Sequence, residues 1–333
     1  MTKIIKEDNI DEAARCLSIG GLVAFPTETV YGLGADAFND VAVDNIYRAK
    51  GRPGDNPLIV HIGDKSDVVN LANEISPNAH ALIDKFWPGP LTIIFPKKST
   101  VPFRVTGGLD TVAVRCPSNH IASELIKKSG KYIAAPSANL SGSPSPTSCR
   151  HVVDDLYGRV DYIIECDTCD IGLESTVIDL TCDVPTILRP GIITLDMIKE
   201  ILPDAVLDSA LLNPQDKPKC PGMKYKHYSP KADVEVVCGD KENVVDYISG
   251  KIQVSTQKCG VLTYKGGDYE NASCVLNAGY DMSEYASTLY YNLRVYDENH
   301  VEKVYVEFCD EGGVGDAVKN RLYKAAGNNV VRV

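Results

Sequence analysis

No apolar run in the 333 residues approaches the ~18–20 that a membrane-spanning helix needs, so a membrane span is not expected. The opening stretch, MTKIIKEDNIDEAARCL, carries acidic residues where a signal peptide needs an apolar block, so export by that route is not expected either. Positive charge is short: 34 Lys and Arg face 45 Asp and Glu, a net charge of −11. The chain is acidic on both sides of residue 230, which disfavours a broad basic face for nucleic acid and leaves room only for a local basic pocket. There is no GxSxG, no HExxH and no Ser/His/Asp set, so covalent catalysis by serine or cysteine is not indicated. Walker and GxGxxG fingerprints are missing too. The 11 cysteines are odd in number and scattered, the pattern of reduced thiols in a cytoplasmic protein. Cys166 and Cys169 form a lone CxxC with no second pair and no nearby histidine, short of the four ligands a structural zinc requires. The single tryptophan, Trp87 in FWPGPLT, reads as a packing anchor beside a turn.

What is present is an ordinary globular balance, 44% apolar and 24% charged, at a length that suggests about two domains. Helices are expected over 9–19, 40–49 (opened by Asp40), 77–86, 118–129, 149–157 and 194–202 (opened by Thr194). Strands are expected at LVAF (22–25), LIVH (58–61), LTIIF (91–95), VAVR (112–115), YIAA (132–135), YIIEC (162–166), TVIDL (176–180) and TILR (186–189). The elements intermix without strict alternation, which points to an α/β domain with a twisted mixed sheet over 1–207. Residues 208–230 carry four prolines and no periodicity; such a stretch reads as a linker or lid. From 231 to 333 a second pattern begins: VEVV, a helix at 241–249, GVLTY, CVLNA, a helix at 281–296, KVYVEF and a helix at 314–325. It fits a smaller α/β domain. GGVGDAVKN (312–320) lacks a Walker lysine and reads as a helix start.

Three features carry chemistry. PTETVYGLGADA (26–37) packs Thr27, Glu28, Thr29 and Tyr31 beside Gly32 and Gly34 at a strand end, where small hydroxyls and permissive glycines suit a polar ligand; a tight turn is the alternative. KGRPGDNPLIVH (50–61) places Lys50 and Arg52 at a helix end. There they either complement the helix dipole or, for Arg52, meet a phosphate. Polar residues also close successive apolar strands: Thr111 and Arg115, Ser137 and Asn139, Glu174-Ser175-Thr176, and Arg189. Polar groups at neighbouring strand ends line the crevice beside a sheet. Arg52, Arg115 and Arg189 together suit a polyanion such as a nucleoside triphosphate, or a carboxylate.

With these motifs the sequence resembles the threonylcarbamoyl-AMP synthases in their long form, a YrdC-type catalytic domain followed by a smaller C-terminal domain. The residues carrying the resemblance are PTETVYGLGADA (26–37), KGR (50–52), NPLIVH (56–61), PGPLT (88–92), TVAVRCP (111–117), APSANLSGSPSPT (135–147), ESTVID (174–179), LRPG (188–191) and PGMKYKHYSP (221–230). The tail after 231 matches by length and pattern more than by motif, apart from NRLYKAA (320–326).

The resemblance implies a YrdC-type fold for the first domain and a Rossmann-like fold for the second, with the linker able to lie over the active site. It implies an enzyme that joins L-threonine, bicarbonate or carbon dioxide, and Mg²⁺-bound ATP into threonylcarbamoyl-AMP with release of pyrophosphate. A separate complex would then transfer the product to adenosine 37 of tRNAs reading codons that start with A. By the same resemblance Thr29, His61, Arg115, Ala135 and Ser175 would line the threonine pocket. Arg52, Asn56, Thr111, Ser137, Ser145, Arg189 and Tyr228 would contact the nucleotide. Lys50 and Arg52 would serve catalysis at the phosphates, and His227 stands beside Tyr228 in the linker. Three rivals remain: an RNA-binding module, which the net charge opposes; a carbamoyl-phosphate-using relative, which carries zinc-finger and acylphosphatase modules lacking here; and an interaction-only protein.

Overall fold

The computed structural model describes residues 1–212, 228–309 and 311–333. They fall into two compact units, Met1–Ser141 with Ser145–Lys224, and Gly142–Pro144 with Tyr225–Val333. Most of the 208–230 linker, His227 included, lies outside the described residues.

The first unit is built on eleven strands: β1 (Lys3–Ile5), β2 (Val23–Phe25), β3 (Gly32–Asp36), β4 (Ile59–His61), β5 (Leu91–Pro96), β6 (Thr111–Arg115), β7 (Ile133–Ala134), β8 (Tyr162–Ile164), β9 (Thr176–Asp179), β10 (Thr186–Arg189) and β11 (Val206–Leu207). They form one sheet in the order β1-β8-β2-β3-β7-β4-β6-β5-β9-β10-β11, with parallel and antiparallel neighbours mixed. This is the mixed sheet expected from the intermixed elements. Its central strands are buried on both faces and therefore read as apolar runs such as VAF and IVH.

The helices begin where side chains satisfy their first N–H groups. Ser76, Asn119, Ser148 and Thr194 each accept a hydrogen bond from the N–H three residues on. The helix Asp40–Lys50 is capped by Asn39, not by Asp40: Asn39 Oδ1 accepts from Val41 N and Ala42 N, and Asp40 is already the first helical residue. Trp87 is a buried anchor whose Nε1 donates to Leu91 O at 2.6 Å.

β3 was not expected as a strand. Gly32 and Gly34 belong to it, and Gly34 is there for packing: a Cβ would meet Phe25 at 2.7 Å and Ile133 at 2.8 Å.

The second unit holds β12 (Asp233–Cys238), β13 (Cys259–Thr263), β14 (Cys274–Asn277), β15 (Lys303–Phe308) and β16 (Val330–Arg332), all parallel, in the order β14-β13-β15-β12-β16. Three helices, Lys241–Val254, Met282–Glu298 and Val314–Ala325, connect them. This matches the smaller α/β sheet expected after residue 231. GGVGDAVKN does open a helix, with Gly313 (φ 58°) as its cap. No helix among the described residues is long and apolar enough to cross a membrane.

Candidate active site

Sheet register assembles the centre of the site. Arg115 ends β6, pairs with His61 on the parallel neighbour β4, and pairs with Thr92 on the antiparallel neighbour β5. Residues directly opposite across strands project to the same face, so these three side chains stand side by side. β5 also pairs with β9, Leu91 with Thr176, which brings Ser175 alongside. The result is a hydroxyl chain closed off from water: Ser175 Oγ lies 2.7 Å from Thr92 Oγ1, and Arg189 Nη2 donates to Ser175 Oγ at 3.0 Å. Arg189 Nε donates to Ser175 O at 2.9 Å, so its guanidinium is fixed by two bonds.

The Thr27–Thr29 turn follows β2. Thr27 Oγ1 donates to Val30 O (2.7 Å) and accepts from Thr29 N and Val30 N (both 3.2 Å), a turn built from its own hydroxyl. The two threonine hydroxyls lie 2.8 Å apart. Thr29 Oγ1 in turn accepts from Arg115 Nη1 at 2.8 Å. Arg115 Nε donates to Gly89 O at 3.3 Å, and Nη2 pairs with Glu28 Oε1 at 2.7 Å.

This ion pair sits in the interior, with Glu28 5% and Arg115 4% exposed. Burial on its own would push the Glu28 carboxyl up. The charge of Arg115 and the N–H of Ser118 outweigh it and hold the carboxyl below its ordinary value. His61 is pushed the other way for a base. Burial first, then the nearby Arg115 charge, lower it to about 3, so the ring is neutral at pH 7. Its Nδ1 lies 3.2 Å from Ile59 O and its ring meets Phe25 edge-on.

A second cluster surrounds the KGR segment. The helix 40–50 ends at Gly51 with φ 63°; Gly51 N donates to Arg48 O (3.2 Å) and Arg52 N to Tyr47 O (2.9 Å). Such a left-handed ending favours glycine and turns Arg52 off the helix axis. Arg52 Nη2 donates to Pro57 O (3.4 Å), while Tyr47 OH donates to Asn56 O (2.9 Å), which fixes the loop between them.

Lys50 was expected beside phosphates. It is buried, and its Nζ donates to the carbonyls of Ser137 and Asn139 (2.6 Å for Asn139) and to Asn139 Oδ1 (3.4 Å). Ser137 Oγ donates to the same Oδ1 at 2.6 Å. Lys50 thus ties down the loop that carries Ser137.

Ser145 Oγ donates to Glu174 Oε1 at 2.5 Å, and Ala135 N donates to Ile59 O at 3.0 Å. Thr111 opens β6 opposite Pro96, at the far end of that strand from Arg115. Tyr228 belongs to the second unit, where it takes φ 65° and stacks on Tyr290 at 5.3 Å. Thr92 is not singled out by the sequence, and Glu28 is named there only within the 26–37 motif, with no role of its own. Thr92 is one polar letter in an apolar strand, and only the β5–β6 register reveals its neighbours. Cys166 and Cys169 carry free thiols, and among the described residues no group of three His, Cys, Asp or Glu is placed to hold a metal.

Comparison with known proteins fits this arrangement. A family profile described as telomere recombination, covering Sua5, YciO and YrdC, matches residues 15–191. A second profile, described as the threonylcarbamoyl-AMP synthase C-terminal domain, matches 193–327. The chain belongs to the threonylcarbamoyl-AMP synthase family. The synthase of Pyrococcus abyssi is 46% identical over 99% of this chain and 97% of its own length. That of Bacillus subtilis is 46% identical over 98% and 95%. Among solved structures, P. abyssi Sua5 complexed with L-threonine superposes with a TM-score of 0.95 at 44% identity, covering 100% of this chain and 99% of that one. The two profiles follow one another along the chain, over 15–191 and 193–327.

Proposed function

We propose that this chain condenses L-threonine, bicarbonate (or carbon dioxide) and ATP into threonylcarbamoyl-AMP and pyrophosphate. The observation that carries the reading is the end-to-end similarity to Sua5 solved with L-threonine. The site geometry supports it. Thr29, His61, Arg115, Ala135 and Ser175 line the amino-acid pocket, with Arg115 facing the threonine carboxylate. Arg52, Asn56, Thr111, Ser137, Ser145 and Arg189 meet the nucleotide. Lys50 acts by positioning the Ser137 loop rather than by touching phosphate.

The chemistry asks little of a general base. Threonine's amine gives up its ammonium proton to solvent, forms the N–C bond to carbon dioxide and releases a second proton, leaving a carbamate whose oxygen is already anionic. That oxygen attacks the α-phosphorus, forming the new O–P bond as the bond to pyrophosphate breaks. Such a displacement depends on alignment and on neutralising phosphate charge. Arg52 and Arg189 supply fixed positive charge, and a neutral His61 adds none that would disturb the carbamate. Mg²⁺ belongs to the substrate here, carried on the ATP phosphates. The product serves a cytoplasmic tRNA-modifying complex that places the threonylcarbamoyl group on adenosine 37 of ANN-decoding tRNAs.

The test is product identity. The chain is incubated with Mg·ATP, bicarbonate and isotopically labelled threonine. Mass spectrometry should then show labelled threonylcarbamoyl-AMP; label that stays in free threonine while ATP turns over would refute the reading.

A further inference from the structure

Two buried polar atoms beside Thr29 have no hydrogen-bond partner among the described residues: Oε2 of Glu28 and Nη2 of Arg115. They belong to one ion pair, in which Nη2 lies 2.7 Å from the other carboxylate oxygen, Oε1. That contact has the distance of a salt bridge without the alignment of a hydrogen bond. The N–H groups of Nη2 and the lone pairs of Oε2 are therefore unspent. Buried groups of this kind are rare in native proteins and call for a reason. The surroundings fix both residues. Glu28 Oε1 accepts from Ser118 N at 3.2 Å, Glu28 O accepts from Ile171 N at 2.9 Å, and Arg115 is held by Thr29 and Gly89.

We infer that Glu28 receives the amino group of the amino-acid substrate on Oε2, while Arg115 takes its carboxylate on Nη2. The inference rests on the reading that Thr29 and Arg115 line the threonine pocket. A zwitterion presents a cationic donor and an anionic acceptor on one carbon, and this pair presents their complements side by side. A hydroxy acid fills the Arg115 half but offers Glu28 a single neutral hydroxyl donor in place of an ammonium, and so loses the charge on the donor side of that bond. Glu28 is thus a specificity-determining residue that selects α-amino acids. It keeps its grip after carbon dioxide is captured, because the carbamate nitrogen retains one N–H to donate.

Calorimetric titration of the full chain tests this with two ligands: L-threonine, and 2,3-dihydroxybutyrate, in which a hydroxyl replaces the amine. Wild-type protein should prefer threonine by about 100-fold or more. In Glu28→Gln that preference should fall at least about tenfold, with the hydroxy acid's affinity changed by less than about threefold. Glu28 acting only as the counter-ion of Arg115 would weaken both ligands alike and leave the ratio intact, which would overturn the inference. Should Glu28→Gln fail to fold, Glu28→Asp keeps the countercharge and withdraws the oxygen. It should lower the ratio at least about threefold, and an unchanged ratio overturns the inference equally. A wild-type chain that binds no threonine would overturn the pocket assignment itself, and this inference with it.

Discussion

A glutamate is buried next to a cation in both units of the molecule, Glu28 in the first and Glu307 in the second, and the two are treated differently. In the second unit Glu307, at the end of β15, is saturated. Oε2 accepts from Lys241 Nζ (2.5 Å) and Tyr264 N (2.7 Å), and Oε1 accepts from Tyr269 OH. Lys241 Nζ spends its other donors on Tyr264 O (3.0 Å) and Gly266 O (2.7 Å). In the first unit Glu28 faces Arg115 and leaves one oxygen unanswered. A network with every member satisfied locks loops at a sheet's end. One left open is stabilised when a ligand completes it. The number of unspent donors and acceptors therefore distinguishes a structural ion pair from a functional one better than burial does, since Glu307 and Glu28 are both deeply buried.

That comparison predicts separable consequences. The largest concerns charge at the nucleotide. Arg52→Ala should lower kcat about 10²–10³-fold with the thermal transition unmoved, as expected when one preorganised donor to a developing charge is removed. Near-normal turnover would take Arg52 out of the mechanism. Next, Glu307→Ala strands the Tyr269 hydroxyl and the Tyr264 N–H and should destabilise the second unit by roughly 2–4 kcal/mol. Hydrogen exchange of the β15 amides reads this directly, and unchanged protection would show that the network is not structural. Ser175→Ala interrupts the Arg189–Ser175–Thr92 chain and should raise the threonine KM about tenfold, the scale of one charge-assisted bond. An unaltered KM would remove Ser175 from the pocket.

The last effect is on pH. In the folded chain His61 titrates near pH 3, against an ordinary value of 6.5. Between those values the unfolded chain binds a proton that the folded chain refuses. Stability is therefore fully present above pH 6.5 and falls as pH drops towards 3, with a limiting slope of roughly 1 kcal/mol per pH unit. Denaturant titrations at pH 7 and pH 5 should show this drop in wild type and a shallower one in His61→Gln. Equal drops would mean that the ring is solvated.

How far these features were legible in the sequence depends on the kind of signal. Helices with side-chain caps, such as 77–86 after Ser76, and strands with dense apolar runs, such as TILR, carry their identity locally. β3 does not: GLGAD has a loop's composition, because its second glycine makes room for Phe25 and Ile133, which lie elsewhere in the chain. β1, β11 and β16, only two or three residues long, are strands because a neighbour pairs with them. The site shows the same division. Arg52, Arg115 and Arg189 stand out as cations at element ends in an acidic chain, and their roles followed from resemblance to a family. The adjacency of Thr92, Arg115 and His61 depends on register, which no local pattern encodes. The surroundings of Lys50 are hidden for a related reason: the carbonyls that accept from its ammonium come from residues 137 and 139, far along the chain.

The most direct test of the central claim is pyrophosphate release from Mg·ATP, measured with threonine and bicarbonate omitted in turn. The account predicts release only when both are present. Release that persists without threonine would contradict it, because the nucleophile would then not be a carbamate formed on the amino acid that this pocket holds.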